Sequence, residues 1–395
     1  MKKILFIISI LALSLNLYAK NVYDYYSDGL DKYKVEDYKG ALECFMKCIK
    51  MKPEFAKSYN EAGLSYAAMN NFDQAILMYK EALIADKDYA EAYYNRAVAY
   101  EMTKKPLMAE KDYAQAISLN NDTHIFVRAS LNLAMLDRLN GEKTKNKEKF
   151  DDAISLIRKA SVYEPDFAEL YNEAGLVYLD TELYDQAAEQ FQKAIEKDQH
   201  YVEASTNLAI AYEKKGNLAR AMNQSESAVK LNENFPGAQY NYGNLCILDG
   251  YYDKAIAHLT KATELNPKFA EAYYSLGKAY LHKNMFKEAE DSYKKALKIN
   301  KTFTLAKRAL ADMQKLKKEL KSHIKVKPTP STEGAEGETA SKDEEKKTDE
   351  NTDATKSDDN SNKDNEGQVK ESGDAQQNDN NGEEGQTKPK EEGWE

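Results

Sequence analysis

The sequence predicts an all-α solenoid of eight stacked helical hairpins, followed by a C-terminal capping helix and a disordered acidic tail. Three observations carry this prediction. Small residues recur every 34 positions, apolar residues inside each period keep helical spacing, and the last 70 residues lack the apolar content of a core.

The chain opens on MKKILFIISILALSLNLYA, two lysines followed by an apolar run from Ile4 to Leu17 and a small residue before Lys20. This is the layout of a secretory signal peptide, so residues 1–19 are expected to be a leader cut after Ala19. The 14-residue run is short of the ~20 residues that span a bilayer. An uncut leader would be the chain's one link to a membrane.

Alanines then fall at Ala41, Ala75, Ala109, Ala153, Ala187, Ala221, Ala255 and Ala289, spaced by 34 except for one step of 44. A second ladder of small residues runs Gly29, Gly63, Ala97, Ala134, Gly175, Ala209, Gly243 and Gly277. In the second unit Tyr59, Ala62, Gly63 and Tyr66 form one helical stripe, and Ala75, Tyr79, Ala82 and Leu83 form another. Asn70 and Asn71 separate the two, as Lys215, Gly216 and Asn217 do in a later unit, which is turn chemistry between antiparallel helices. Small residues sit where the helices must approach closely. The units are expected at 22–55, 56–89, 90–123, 127–167, 168–201, 202–235, 236–269 and 270–303.

These residues resemble the tetratricopeptide repeat family, whose signature combines a leading aromatic, Leu-Gly, Tyr, and an Ala with an aromatic four places on. Unit eight carries it as Tyr273, Leu276, Gly277, Tyr280, Ala289 and Tyr293, with Pro267 closing the unit before. Tyr stands in place of the leading Trp, Pro106 replaces an aromatic, and Ser205 and Gln239 replace two more, so local packing there is open.

The fourth unit holds the extra residues, Glu142 to Lys149, four of them lysine. A basic protrusion, a solvated loop or a one-to-two-turn helix extension all fit. After unit eight, residues 304–325 are expected to form the capping helix, with Leu305, Ala309, Met313, Leu316 and Leu320 on its covered face and seven basic residues outside.

Residues 326–395 hold 21 acidic residues against 9 lysines and no Leu, Ile, Phe, Met or Tyr. Such a segment buries too little to offset its chain entropy and is expected to be disordered. The formal charge of −10 therefore belongs to the tail, since the body from Lys20 carries 45 basic and 45 acidic residues. A flexible chain of that length reaches roughly 45 Å, so it can compete with a ligand for the body or serve as a solubilising spacer.

The composition excludes several functions. Three cysteines, Cys44, Cys48 and Cys246, are too few for a disulfide framework in an exported chain. Cys44 and Cys48 lie one turn apart without a nearby His or Cys to complete a metal site. The five histidines are scattered, with no HExxH, paired CxxC, nucleophile elbow or phosphate loop, so neither an enzyme nor a metal or cofactor protein is expected. A neutral body with an acidic tail does not suit nucleic acid, and no small-molecule substrate is indicated.

The family resemblance implies a superhelix whose first helices line a concave face. Ser27, Glu61, Asn95, Asn132, Glu173, Asn207, Asn241 and Ser275, two before the small ladder, are then expected to face it. Four are asparagine, and a row of amides can pair with the backbone of an extended peptide or can serve local structure; both readings stand. Beside that row Tyr94, Tyr240 and Tyr274 offer contact area with a polar tip. Glu91, Glu169, Glu203 and Glu271 supply acidic points, so peptides bearing Lys or Arg are preferred. The family's carboxylate clamp is not expected: one candidate triplet offers only Thr206, Ile210, Asn241, Glu271 and Ser275, without its cations, and another, Asn60, Leu64, Asn95, Arg128 and Asn132, is closer but incomplete. The expected function is an exported, non-enzymatic adaptor that holds a protein or peptide in the periplasm or envelope of a bacterium. The alternatives are an assembly scaffold without a peptide groove and an accessory subunit of an envelope enzyme.

Overall fold

The computed structural model describes residues 20–324, with side chains to residue 319. The leader and the acidic tail lie outside the described residues. Within them the chain forms seventeen helices and no strand. The first hairpin is α1 (Val22–Lys34) with α2 (Tyr38–Met51); the second and third are α3 (Ala56–Ala68) with α4 (Phe72–Ala85), and α5 (Ala90–Met102) with α6 (Pro106–Leu119). Next come α7 (Thr123–Thr144) with α8 (Lys147–Tyr163), α9 (Ala168–Asp180) with α10 (Tyr184–Lys197), and α11 (Val202–Lys214) with α12 (Leu218–Leu231). The last two hairpins are α13 (Pro236–Leu248) with α14 (Tyr252–Leu265), and α15 (Ala270–His282) with α16 (Phe286–Ile299), after which α17 (Thr304–Ile324) closes the array. Among the described residues no helix is long and apolar enough to cross a membrane.

Outside the fourth hairpin every first helix has 13 residues and every second helix 14. The turn inside each hairpin contains one residue in the left-handed region, among them Asn70 (φ 59°), Gly216 (φ 83°) and Gly250 (φ 82°). The next residues start the second helix: Asn71 and Asn217 accept from the backbone N–H groups of Gln74 (3.4 Å) and Arg220 (3.1 Å).

The two small-residue ladders have one physical cause. In each hairpin the residue four after the second-helix alanine lays its side chain across the small rung of the first helix. A methyl group added at Gly63 would meet the Tyr79 ring at 2.5 Å, and one at Gly175 or Gly277 would meet Phe191 or Tyr293 at the same distance. At Gly243 the group met is Leu259, at 2.6 Å. The corresponding second-helix residues for Ala97, Ala134 and Ala209 are Tyr113, Ile157 and Ser225. Gly63→Ala is expected to cost about 1–3 kcal/mol, because the fully enclosed Tyr79 ring has no free space to move into. A thermal melt that leaves the midpoint unchanged would refute this packing account.

Neighbouring hairpins share their cores, as in the cluster running from Tyr79 through Ala97 and Tyr113 to Leu133. The two departures from the aromatic pattern are met by polar partners. Ser205 Oγ accepts from Gln224 Nε2 (2.7 Å), while Gln239 Oε1 lies 2.7 Å from His258 Nδ1 and its amide donates to the Glu233 carbonyl (2.8 Å). Burial of His258 and nearby Lys254 hold its imidazole below the ordinary histidine range.

The fourth hairpin takes up its extra residues by lengthening both helices. α7 has 22 residues and starts at Thr123, ahead of Val127, and α8 has 17. Lys149 of the insertion is held by Asp137 (2.7 Å) and Glu110 (2.9 Å), while Lys143, Lys145 and Lys147 are exposed at the tip. Cys44, Cys48 and Cys246 are buried free thiols, and Cys48 Sγ donates to the Val22 carbonyl (3.2 Å).

α17 covers the eighth hairpin with part of the face expected of it: Ala309 and Met313 are packed there, while Leu305 and Leu316 are not. Ala306 and Met313 are buried, with Ala309 and Leu310 beside them against Tyr293, whereas Leu305 and Leu316 are 55% and 41% exposed. Leu320 lies beyond the described side chains. The reason is register. Ala204, Ala238, Ala272 and Ala306 are spaced by 34 and all fully buried, so α17 continues the array in the position of a ninth first helix.

Candidate functional site

Because the hairpins repeat in register, all first helices run the same way. Their first turns form one edge of a common face and their last turns the other. Along α9, α11, α13 and α15 this face is indented by two adjoining clefts of about 390 and 480 Å³. Both are lined by Ile210, Tyr240 and Asn241, so they form one trough. Asn172 and Asn207 line one end, and Tyr274, Phe303 and Leu305 line the other.

Four of the seven residues singled out from the sequence, Asn207, Asn241, Tyr240 and Tyr274, therefore line this trough. Tyr240 packs against Phe269 (ring centroids 4.7 Å), and Tyr274 packs against Phe303 (5.3 Å) with Lys278 above its ring (6.0 Å). Tyr94, Asn95 and Asn132 lie in the same rows further back, on α5 and α7. Tyr94 is half-buried against Tyr113 (5.8 Å).

All four asparagines donate their side-chain amides to the hairpin before their own. Asn95 Nδ2 bonds Asn60 Oδ1 (3.0 Å) and Asn207 Nδ2 bonds Asn172 Oδ1 (3.0 Å), in the same geometry. Asn132 donates to the Tyr113 hydroxyl (3.0 Å) and Asn241 to Ser225 Oγ (3.3 Å), each at the second-helix position that faces the small rung. The amides thus fasten hairpin to hairpin, and what the row turns outward is its tyrosines and the remaining lone pairs on oxygen.

The charges on this face fall into two classes. Glu173 is buried and answered by Arg138 (2.5 Å), which also holds Asp180 (2.9 Å). Glu61, at the equivalent position on α3, has no such cation. Burial and the neighbouring Glu91 push its carboxyl up to about 7, while Asn60 donates weakly to both carboxylates (3.4 and 3.3 Å). Tyr89 also donates to Glu91 (3.0 Å). A raised carboxylate binds its proton in the folded state first, so stability falls as pH rises from about 4.5 to 7 and is then level. Glu61→Gln is expected to remove this fall and to stabilise the protein at pH 8 by on the order of 2 kcal/mol. Equal denaturation midpoints for the two proteins at pH 8 would contradict it.

Reading the residues alone missed the trough's apolar end, Leu248 and Leu305, which are 57% and 55% exposed. Carrying the 34-residue period past unit eight is the signal that finds Leu305, in the row of Glu203 and Glu271; Leu248 lies one period after Lys214. Of the acidic points, Glu203 and Glu271 stand on the trough's lining, in the first turns of α11 and α15.

Models of the tetratricopeptide repeat match residues 33–55 and 90–123, 146–201 and 172–239, and 270–303, and a TPR repeat model matches 63–104 and 243–284. Together they span more than half of the chain. No curated protein sequence matches it. Among solved structures the APC/C hetero-tetramer Cut9–Hcn1 is similar over 70% of this chain and 52% of its own, at 18% identity and a TM-score of 0.54. The crystal structure of YrrB, a TPR protein with an unusual peptide-binding site, is similar over 68% of this chain and 98% of its own, at 21% identity and a TM-score of 0.32.

Proposed function

We propose that this chain, which belongs to the tetratricopeptide repeat family, is a protein-interaction adaptor that holds an extended segment of a partner in the trough of its fifth to eighth hairpins. One observation carries the reading. The trough is continuous over four first helices and combines tyrosine faces, apolar side chains and charges that make no ion pair, among them Glu203, Glu271 and Lys214. Stability alone gives no reason for such a lining, whereas a partner segment would use all three kinds of contact.

The rest of the reading comes from sequence. An apolar leader after two lysines supports a workplace in the envelope of a bacterium. The acidic row along the first turns supports partners bearing Lys or Arg. Binding rather than catalysis is the role these surfaces support.

Affinity capture after cross-linking intact cells tests this, with wild-type bait beside Tyr240→Ser/Tyr274→Ser bait. Loss of one dominant partner from the variant, with helical melting kept, supports the adaptor. The same partners on both baits would favour a scaffold that works through other surfaces.

A further inference from the structure

The trough has an end with a distinct chemistry. α17 occupies the place of a ninth first helix, and its flank that corresponds to the second-helix side of α15 carries polar residues. Lys307 and Gln314 stand there in register with Tyr273 and Tyr280 of α15, and both are exposed. That is how a terminal helix stays soluble. On the rows that line the trough the same helix instead keeps Leu305 and Leu316, 55% and 41% exposed. Leu248 on α13, in the same row as Leu316, is 57% exposed. A capping helix selected only to seal the array has no use for leucines on this side.

Charge completes the picture. Glu203 and Glu271 lie on the first-turn edge, and Lys214 lies in the last turn of α11 on the opposite edge, with Lys278 nearby over Tyr274. Among the described residues none of the four makes an ion pair. Between the edges the lining mixes Ile210, Tyr240 and Tyr274 with the polar Asn241, Asn244 and Ser275, and Glu213 stands beside Lys214; a lining with carboxylates on one edge and both signs on the other is complementary to a segment bearing both signs. A lipid surface does not fit a trough lined by free carboxylates.

Resting on the adaptor reading, we propose that the α13–α15–α17 end of the trough is an anchor seat for one Leu-, Met- or Phe-sized side chain of an extended peptide. The residues flanking that anchor place a Lys or Arg toward Glu203 and Glu271 and an Asp or Glu toward Lys214 and Lys278.

The probe is a displayed library of random twelve-residue peptides, selected on the full chain. Enrichment of one large apolar residue with a basic and an acidic residue within three positions is expected. Enriched peptides, followed by fluorescence anisotropy, should bind Leu305→Asp and Leu248→Asp at least tenfold more weakly. Both leucines are exposed, so the variants fold, and equal melting confirms it. Glu203→Lys/Glu271→Lys should weaken them similarly and should regain affinity when the peptide's basic residue becomes glutamate. No enrichment, or enriched peptides indifferent to Leu305 and Leu248, overturns the seat. If those indifferent peptides still depend on Tyr240 and Tyr274, the groove stands and only the seat falls. If they depend on neither pair, the adaptor reading falls with it. A charge reversal that peptide redesign fails to compensate overturns the assignment of the edges.

Discussion

Arg138→Met is expected to destabilise the array by about 3–5 kcal/mol, the largest effect of any single substitution on this face. Among the described residues Arg138 is the one cation paired with Glu173, whose side chain is 4% exposed, and with Asp180, at 22%. Even with the guanidinium in place, burial lifts the Glu173 carboxyl above its ordinary value. Without it, a buried charge has only a half-shielded neighbour of the same sign. Glu173 would then take up a proton, so the variant should lose further stability as pH rises through the carboxylate range and beyond. Adding Glu173→Gln should recover most of the loss. Denaturant unfolding of the two single variants and the double variant checks this. Additive costs would mean that the pair is not coupled.

Tyr240→Ser/Tyr274→Ser is expected to weaken a captured partner by about 100-fold, on the scale of two interface hot spots. The two rings stand in the trough, each with one side against a neighbour, Phe269 or Phe303, and the other toward the cleft. The asparagines predict the opposite division of effects. Asn207→Ala removes the donor from Asn172 Oδ1 and is expected to cost about 1–2 kcal/mol of stability. Its influence on binding should follow from loosened hairpins. Titration of the partner together with a melt of each variant separates the two: tyrosine variants should move affinity, asparagine variants the melting point.

The hairpins were legible because packing repeats. A small rung every 34 residues, set where two helices approach closely, leaves a trace in composition that survives many changes elsewhere. The resemblance quoted from Tyr273 to Tyr293 adds the family to that arithmetic. Side-chain destinations were not legible. Asn95 and Asn207 stand in the expected row, yet their amides reach 35 residues back, to Asn60 and Asn172. Arg138 reaches forward to Glu173, a carboxylate expected only to face the groove. Links from one repeat to the next are invisible to helical periodicity, which sees only i+3 and i+4. α17 failed in another way. A stripe through Leu305 and a stripe through Ala306 both satisfy the 3.6-residue period, and leucine is the stronger hydrophobe. The 34-residue register decides for Ala306, and so frees Leu305 for the trough.

Site-directed photo-cross-linking in cells tests the adaptor most directly. A photoreactive phenylalanine analogue replaces Tyr240 or Tyr274 in the trough, or Ile84 or Lys193 on second helices, all of them half-buried or exposed. The account predicts one discrete cross-linked partner from positions 240 and 274 and none from 84 or 193. Cross-links from the second-helix positions alone would contradict it and place the partner on the outer surface.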